Sequence, residues 1–320
     1  MNSFRKYNQP ENVKKKYPYL YKWFHDLDFD EHEADRILDS VYKYERTNIR
    51  TNLKSSLYNL RNEATWTFRT GETSRLYNPI SNLRKELRTA LRCNGERLVE
   101  IDIKNSLPFI SLIFFDSSVI TKYKEVITRF APYLYENSNA LPCFSLEGNE
   151  CISNLKDVQK FKEAILGKDF YWDIACIWNE FLDTPYDRKR AKAKFLEIVN
   201  SPRYIKSEEK ELLRTEYPNV IRVIDTINGN FCTKKRRKNK SGSYKDAPFA
   251  YITQTIESQF ILDCLCGGLA QELPDAPLYT IHDAIFTTPK YANEVINKIS
   301  SVSKDMFGVE ARTHLSHQNL

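Results

Sequence analysis

The chain has 320 residues, enough to bury a real core in one large domain or in two or three lobes. Hydrophobic residues make up 41% and charged residues 28%, which excludes wholesale disorder, and nine glycines against 19 Tyr and 18 Phe point to a helix-rich body with aromatic surfaces. The net charge of +6 is modest, so a polyanionic partner has to be argued from where the basic residues fall rather than from their total.

The N-terminal stretch MNSFRKYNQPENVKKKYPYL lacks the hydrophobic core of a secretory signal. Residues 10–65 read as helices, with Asp30 or Glu31 placed to cap a segment whose Ala34, Ile37, Leu38, Val41 and Tyr42 follow helical spacing. Residues 65–82, TWTFRTGETSRLYNPISN, have β-rich ends and Gly, Asn and Pro punctuation, the mark of strand and loop. LRKELRTAL (83–91) reads as a short basic helix. In RLVEIDIKNSLPFISLIFF (97–115), Leu98 to Ile103 is a buried strand interrupted by Asp102, and Pro108 suits the first turn of the helix that follows. Residues 116–155 contain Pro132 and Pro142 and give no long element. Helices are expected over 156–183, 187–200, 207–228 and 249–270, with KKRRKNKSGSYKDAP (234–248) a polar, mobile connection between the last two. TIHDAIFTT (280–288) is a strand–turn–strand, followed by a helix over about 290–306. No internal repeat is present. The fold class is α+β, its sheet split across the sequence by a helical insertion.

No apolar run approaches the roughly 20 residues that span a bilayer, so no membrane partner is expected. Seven cysteines without regular spacing suit a reducing, cytoplasmic setting better than a disulfide framework. Cys264 and Cys266 lack the His/Cys companions of a zinc site.

His282-Asp283 breaks an apolar, β-branched run. The bland reading is a turn, in which Asp is common. The sharper reading is a ligand held out by that turn, with Asp102, also apolar-flanked, as its partner. A buried lone carboxylate is costly unless paired or metal-bound. Two such strands side by side would offer oxygen ligands to divalent ions that keep room for water and phosphate. Arg188, Lys192, Leu196 and Asn200 recur every four residues and share one helical face. That face suits a triphosphate at its basic end; the alternative is an ordinary amphipathic helix. RKRAKAK (188–194) and KKRRKNK (234–240) suit a polyanion, or else a solvated surface and a loop.

Beyond these separate signals, several stretches occur in the order found in family A DNA polymerases and their relatives, the single-subunit phage-type RNA polymerases. SRLYNPISNL is similar to G-R-L-x(5)-N-L, with Arg75, Leu76, Asn82 and Leu83 matching. LVEIDIKNSLPFISL resembles motif A, with Asp102 at the metal position. LGKDFYWDIACIW resembles the segment that opens the fingers, and YDRKRAKAKFLEIVN resembles motif B, with Arg188 and Lys192 in place. EYPNVIRVI matches the helix that follows. DAPFAYITQTIESQFI places Gln254 at the motif's glutamine, and TIHDAIFTTPKYANEVINKI resembles motif C.

The resemblance implies a right-hand architecture. Residues 1–66 would be a reduced helical thumb, 67–155 the first part of the palm, 156–245 helical fingers and 246–320 the second part of the palm. It implies a DNA polymerase that adds nucleotides to a 3′ hydroxyl on a primer–template, using nucleoside triphosphates and two Mg²⁺ ions, with Mn²⁺ as the alternative. Asp102, Asp283 and the Ile103 carbonyl would hold the metal. Arg188 and Lys192 would face the triphosphate, with Lys192 as proton donor, and Leu196, Asn200 and Leu107 would line the nucleotide site. Arg75, Gln254 and His282 would touch the primer–template. A replication or processivity partner is implied by the compact size. The sequence departs from the family at Leu107, where Glu is usual, at Leu196 and Asn200, where motif B has aromatics (Phe195 is one residue off), and at Ala284, where Glu is usual. Two alternatives therefore stand: a primase-like or single-subunit RNA polymerase, and a non-catalytic nucleic-acid-binding replication protein.

Overall fold

In the computed structural model, residues 10–136, 152–229 and 248–316 are described. The fold is α+β, mostly helical with three small antiparallel sheets, and it divides into two compact units. One comprises residues 1–104 and 257–320, the other residues 105–256. Among the described residues no helix is long and apolar enough to cross a membrane.

All nine strands of the described residues lie in the first unit. They are β1 (Leu27–Phe29), β2 (Arg69–Thr70), β3 (Leu76–Tyr77), β4 (Leu91–Cys93), β5 (Glu96–Arg97), β6 (Val99–Ile103), β7 (Tyr279–Ile281), β8 (Ala284–Thr287) and β9 (Thr313–Ser316). The sheet orders are β1-β4-β5, β2-β3 and β7-β8-β6-β9. Alternation explains β6: Ile101 and Ile103 fall on one face and are buried, while Glu100 and Asp102 fall on the other. Flanked by β8 and β9, the strand has both ladder edges satisfied. Beside the sheet an aromatic cluster packs edge to face, with Phe24 against Phe68 and Tyr279 at ring separations of 5.0 and 5.3 Å. The Tyr279 hydroxyl donates to the Trp23 carbonyl at 2.7 Å. Helix Ala292–Phe307 buries Ala292, Val295, Ile299, Ser303 and Phe307 at three- and four-residue intervals, and ends at Gly308, whose φ of 72° closes it in the left-handed region.

The second unit is a helical assembly around Phe161, Phe170, Phe195 and Trp178, all 2% exposed or less. Several of its helix starts are capped by side chains: Asp187 accepts from the Arg190 amide at 2.7 Å, and Ser207 from the Lys210 amide at 3.2 Å. Pro218 opens helix Pro218–Gly229 directly after helix Glu208–Glu216, a position proline favours. Buried Asp225 joins these two helices through Lys210 Nζ at 2.7 Å and an Arg214 guanidinium nitrogen at 2.8 Å.

The expected elements are largely present, with differences that have physical causes. Within 10–65, Asp30 does cap helix Glu31–Ser40, but Leu27–Phe29 forms β1 because β4 offers it a partner. Residues Lys85–Ala90 form a tighter 3₁₀ turn and Leu91 already belongs to β4. The span 207–228 is two helices, broken at Tyr217-Pro218. The span 249–270 is α-helical over Pro248–Ser258, a π-helix over Gln259–Cys266 and α-helical again over Gly267–Glu272. Tyr19 donates to the Leu262 carbonyl at 2.7 Å within the π segment, supplying a partner where the wider turn disturbs the helical ladder. The basic run 234–240 lies outside the described residues.

Candidate active site

Strand β6 runs antiparallel to β8, with Asp102 opposite Ala284 and Ile101 opposite Ile285. Because Ile281 pairs with Ala284, His282 and Asp283 are the two central residues of a tight turn. The Ile103 amide lies 3.4 Å from the Asp283 carbonyl. Asp102 and Asp283 therefore sit at the same end of neighbouring strands. Neither is fully buried, contrary to a lone carboxylate inside the core, so water has access.

Both aspartate segments turn through a left-handed residue. His282 has φ 54° and so does Asn105, which lies between β6 and helix Ser106–Ser111. Asn and His are among the non-glycine residues that enter this region most readily. The Asn105 amide also donates to the Ile165 carbonyl at 3.1 Å, fixing the sharp exit from β6.

The surroundings of the pair are charged. His282 packs edge-on against Tyr77 at 5.5 Å, and its Nδ1 is buried with no hydrogen-bond partner among the described residues. Burial first, then the Arg75 guanidinium, lowers the pKa of the imidazole; Asp283 opposes this and Arg88 adds to it. Neutral His282 is thus the favoured form at neutral pH. Arg75 is held by Glu257, with contacts of 2.9 and 2.6 Å, and Glu257 is only 4% exposed. Glu100, two residues before Asp102 on the same face, lies 3.7 Å from Arg88. On the far side of β6, exposed His314 of β9 stands opposite Asp102.

Among the described residues no group of three or more His, Cys, Asp or Glu side chains is arranged to hold a metal. Two carboxylates and a nearby backbone carbonyl at Ile103 are nonetheless hard oxygen donors at a partly open sheet end. Such donors would suit Mg²⁺, a hard cation that keeps several waters, better than a metal that demands a closed protein cage.

The remaining expected residues belong to the second unit. Arg188 and Lys192 come together on helix Arg188–Val199, their cationic groups 5.8 and 5.5 Å from the Tyr171 ring. Arg188 is also paired with Asp169 at 2.7 Å. Leu196 is half-buried, and Asn200 ends the helix with its Oδ1 buried and without a hydrogen-bond partner among the described residues. Phe195 is 2% exposed and packs on Phe170 at 5.0 Å. Leu107 is on helix Ser106–Ser111 and Gln254 on helix Pro248–Ser258, both half-buried.

The sequence reading missed Glu100, Arg88, Glu257 and His314. Glu100 was legible from strand alternation, being two residues from Asp102. Glu257 lies three residues after Gln254, but its pairing with Arg75 is a tertiary fact, and His314 is found only through β9.

No protein-family profile and no curated protein matches the chain. A solved structure does: the POL domain of Pol1 from M. smegmatis, in a complex with DNA primer-template and dNTP. The TM-score is 0.51 at 12% identity, over 84% of this chain. The chain spans about half that domain, 51% of its length. The likeness shows a polymerase-like fold.

Proposed function

We propose that the chain is a template-directed nucleotidyltransferase, a DNA polymerase that extends a 3′ hydroxyl by a two-metal mechanism. The observation that carries this reading is the adjacency of Asp102 and Asp283 at one end of β6 and the β7–β8 turn. The likeness to a domain solved with primer-template and dNTP adds support. In this reading residues 67–155 and 246–320 form the palm, 156–245 the fingers and 1–66 a reduced thumb.

Asp102, Asp283 and the Ile103 carbonyl would hold Mg²⁺. When bound, the metal makes the attacking hydroxyl easier to deprotonate and offsets charge on the leaving pyrophosphate. The chain's own residues do the positioning. Arg188 and Lys192 bind the triphosphate, and Arg188 exchanges Asp169 for phosphate oxygens. The 3′ hydroxyl gives its proton to water as its oxygen bonds to the α-phosphorus and the bond to the β-phosphate oxygen breaks, and Lys192 gives a proton to the departing pyrophosphate. Arg75, Gln254 and neutral His282 contact the primer–template through features shared by all sequences, leaving selection to base pairing.

Leu107 favours a second reading, RNA or primer synthesis, because the resembled motif has Glu there to exclude ribose. Extension of a primed DNA template, with deoxyribo- and ribonucleotides offered separately, an unprimed template and an EDTA control, decides between them. Asp102→Asn and Asp283→Asn should each lower incorporation at least about 100-fold, several kcal/mol of barrier, while nucleic-acid affinity holds or rises. Parental incorporation by both variants removes the assigned site. Binding without incorporation in the parent assigns the chain to the non-catalytic class.

A further inference from the structure

The second unit holds a cleft that the catalytic reading does not use. It has a volume of about 650 Å³ and lies between residues 203–206 and helices Glu208–Glu216 and Pro218–Gly229. That size is within the range of about 300–1,000 Å³ common for ligand sites. Its lining includes Arg203, Lys206, Arg214, Arg222, Asp225 and Thr226.

Floor and rim of this cleft differ in charge. On the floor, Asp225 is buried and meets Lys210 at 2.7 Å and Arg214 at 2.8 Å, and Arg214 also meets Glu211 at 2.8 Å. Two cations there face two carboxylates, so the floor is neutral. The rim is not. Arg203, Lys206 and Arg222 are exposed and make no ion pair among the described residues. Three like charges gathered around one concavity repel one another, and an anion relieves that repulsion.

The rim is also fixed in advance. Lys210 Nζ donates to the Arg203 carbonyl at 3.3 Å, and the buried Asn228 amide donates to the Val199 and Ser201 carbonyls at 3.0 and 3.1 Å, so both helices hold the 203–206 segment. The Arg203 stem passes the end of the second helix, where a Cβ on Gly229 would stand 3.8 Å from its Cδ. A rim ordered beforehand loses little freedom on binding.

The anion that suits this rim is compact and dense in charge. Glu208, Glu209 and Glu211 fill the helical turn that follows Lys206, so a long polyanion leaving the cleft on that side runs into carboxylates, whereas a short one stops before them. The planar forks of Arg203 and Arg222 match phosphate oxygens two at a time. A single phosphate ion is too small to engage all three cations across a cleft of this size.

We propose that this cleft binds a short chain of linked phosphates, a di- or triphosphate, at Arg203, Lys206 and Arg222. The site goes beyond the polymerase reading, in which Arg188 and Lys192 take the triphosphate. Those two lie toward the start of helix Arg188–Val199, and the cleft begins past its other end.

The test is calorimetric titration of the full chain with sodium tripolyphosphate, in EDTA so that no metal draws the anion to the aspartates. Tripolyphosphate should bind at least about tenfold tighter than inorganic phosphate, and tighter by as much than citrate, whose charge sits on carboxylates. The Arg188→Ala/Lys192→Ala chain, which lacks the contact proposed for the nucleotide, should keep one tripolyphosphate site. Adding Arg203→Ala, Lys206→Ala and Arg222→Ala to it spares the Asp225 pairs and should weaken that site at least about tenfold, with circular dichroism checking the fold. Lys206→Arg, which keeps the charge, should keep parental affinity. An ATP arm separates sources of the same chemistry: affinity equal to that of tripolyphosphate includes a nucleotide's phosphate tail, and affinity at least about tenfold weaker restricts the site to the inorganic anion. No site in the Arg188→Ala/Lys192→Ala chain, parental affinity after the cleft substitutions, equal binding of citrate, or equal displacement by oligothymidylate at matched phosphate concentration would each overturn the proposal. None of these measurements reads incorporation, so a failed polymerase assignment and a failed cleft are told apart.

Discussion

Glu257 and Arg75 form the most consequential ion pair near the candidate site. The carboxylate side chain is 5% exposed and the guanidinium side chain 21%, so solvent screens the pair weakly. Arg75 also bears on His282, lowering its pKa, so moving the guanidinium alters the charge felt beside Asp283. Arg75→Ala leaves Glu257 buried without its cation, a change that costs about 3 kcal/mol or more when such a pair is broken on one side. Replacing both partners, as Arg75→Met with Glu257→Leu, removes the stranded charge and should recover most of that loss. Urea unfolding of the single and double variants measures the difference. A double variant no more stable than Arg75→Ala would show that the pair is not what makes the arginine structurally important. Incorporation should fall in both, because each lacks the guanidinium that the proposed primer contact requires.

At the scale of elements, helix Arg188–Val199 is built against its own dipole. Arg188, Lys189 and Arg190 occupy the first turn, where the positive end of the helix disfavours cations. Two acidic groups compensate. Asp187 caps the helix through the Arg190 amide, and Asp169, itself the cap of helix Phe170–Phe181, holds Arg188. Folding alone gains nothing from such a start, and this charge placement is what the proposed triphosphate contact calls for. Asp187→Ala should lose about 1–2 kcal/mol, since it removes the cap and an anion together, and Asp187→Asn should lose less because the cap survives. Thermal unfolding of both variants reads the stability, and the KM for nucleotide should rise more in the alanine variant. Equal midpoints for parent and Asp187→Ala would mean that packing of Phe195 and Val199 alone sets the helix start.

At the scale of the molecule, local features were legible and remote pairings were not. Asp102 between two isoleucines, the His282-Asp283 break and the four-residue basic stripe are fixed by neighbours in the chain, so periodicity finds them. Strands β1 and β9 are three and four residues long and take their form from partners far along the sequence, Leu27 from Cys93 and His314 from Asp102. The π-helix at Gln259–Cys266 escaped because a wider turn leaves a helical apolar pattern nearly intact over so few residues. In the proposed polymerase reading, size bears on how this chain holds a primer–template. The chain spans about half of the Pol1 POL domain, and in that reading fewer phosphate contacts mean weaker retention of a duplex. The 320-residue chain alone should therefore extend a primer by only a few nucleotides per binding event. A single-turnover trap experiment, with excess heparin added at the start of synthesis, reads that length directly. Raising salt from about 50 to about 200 mM should shorten it further by speeding release. Long products that survive the trap at the higher salt would mean that the chain encloses its substrate rather than resting on it, and would remove the need for a processivity partner.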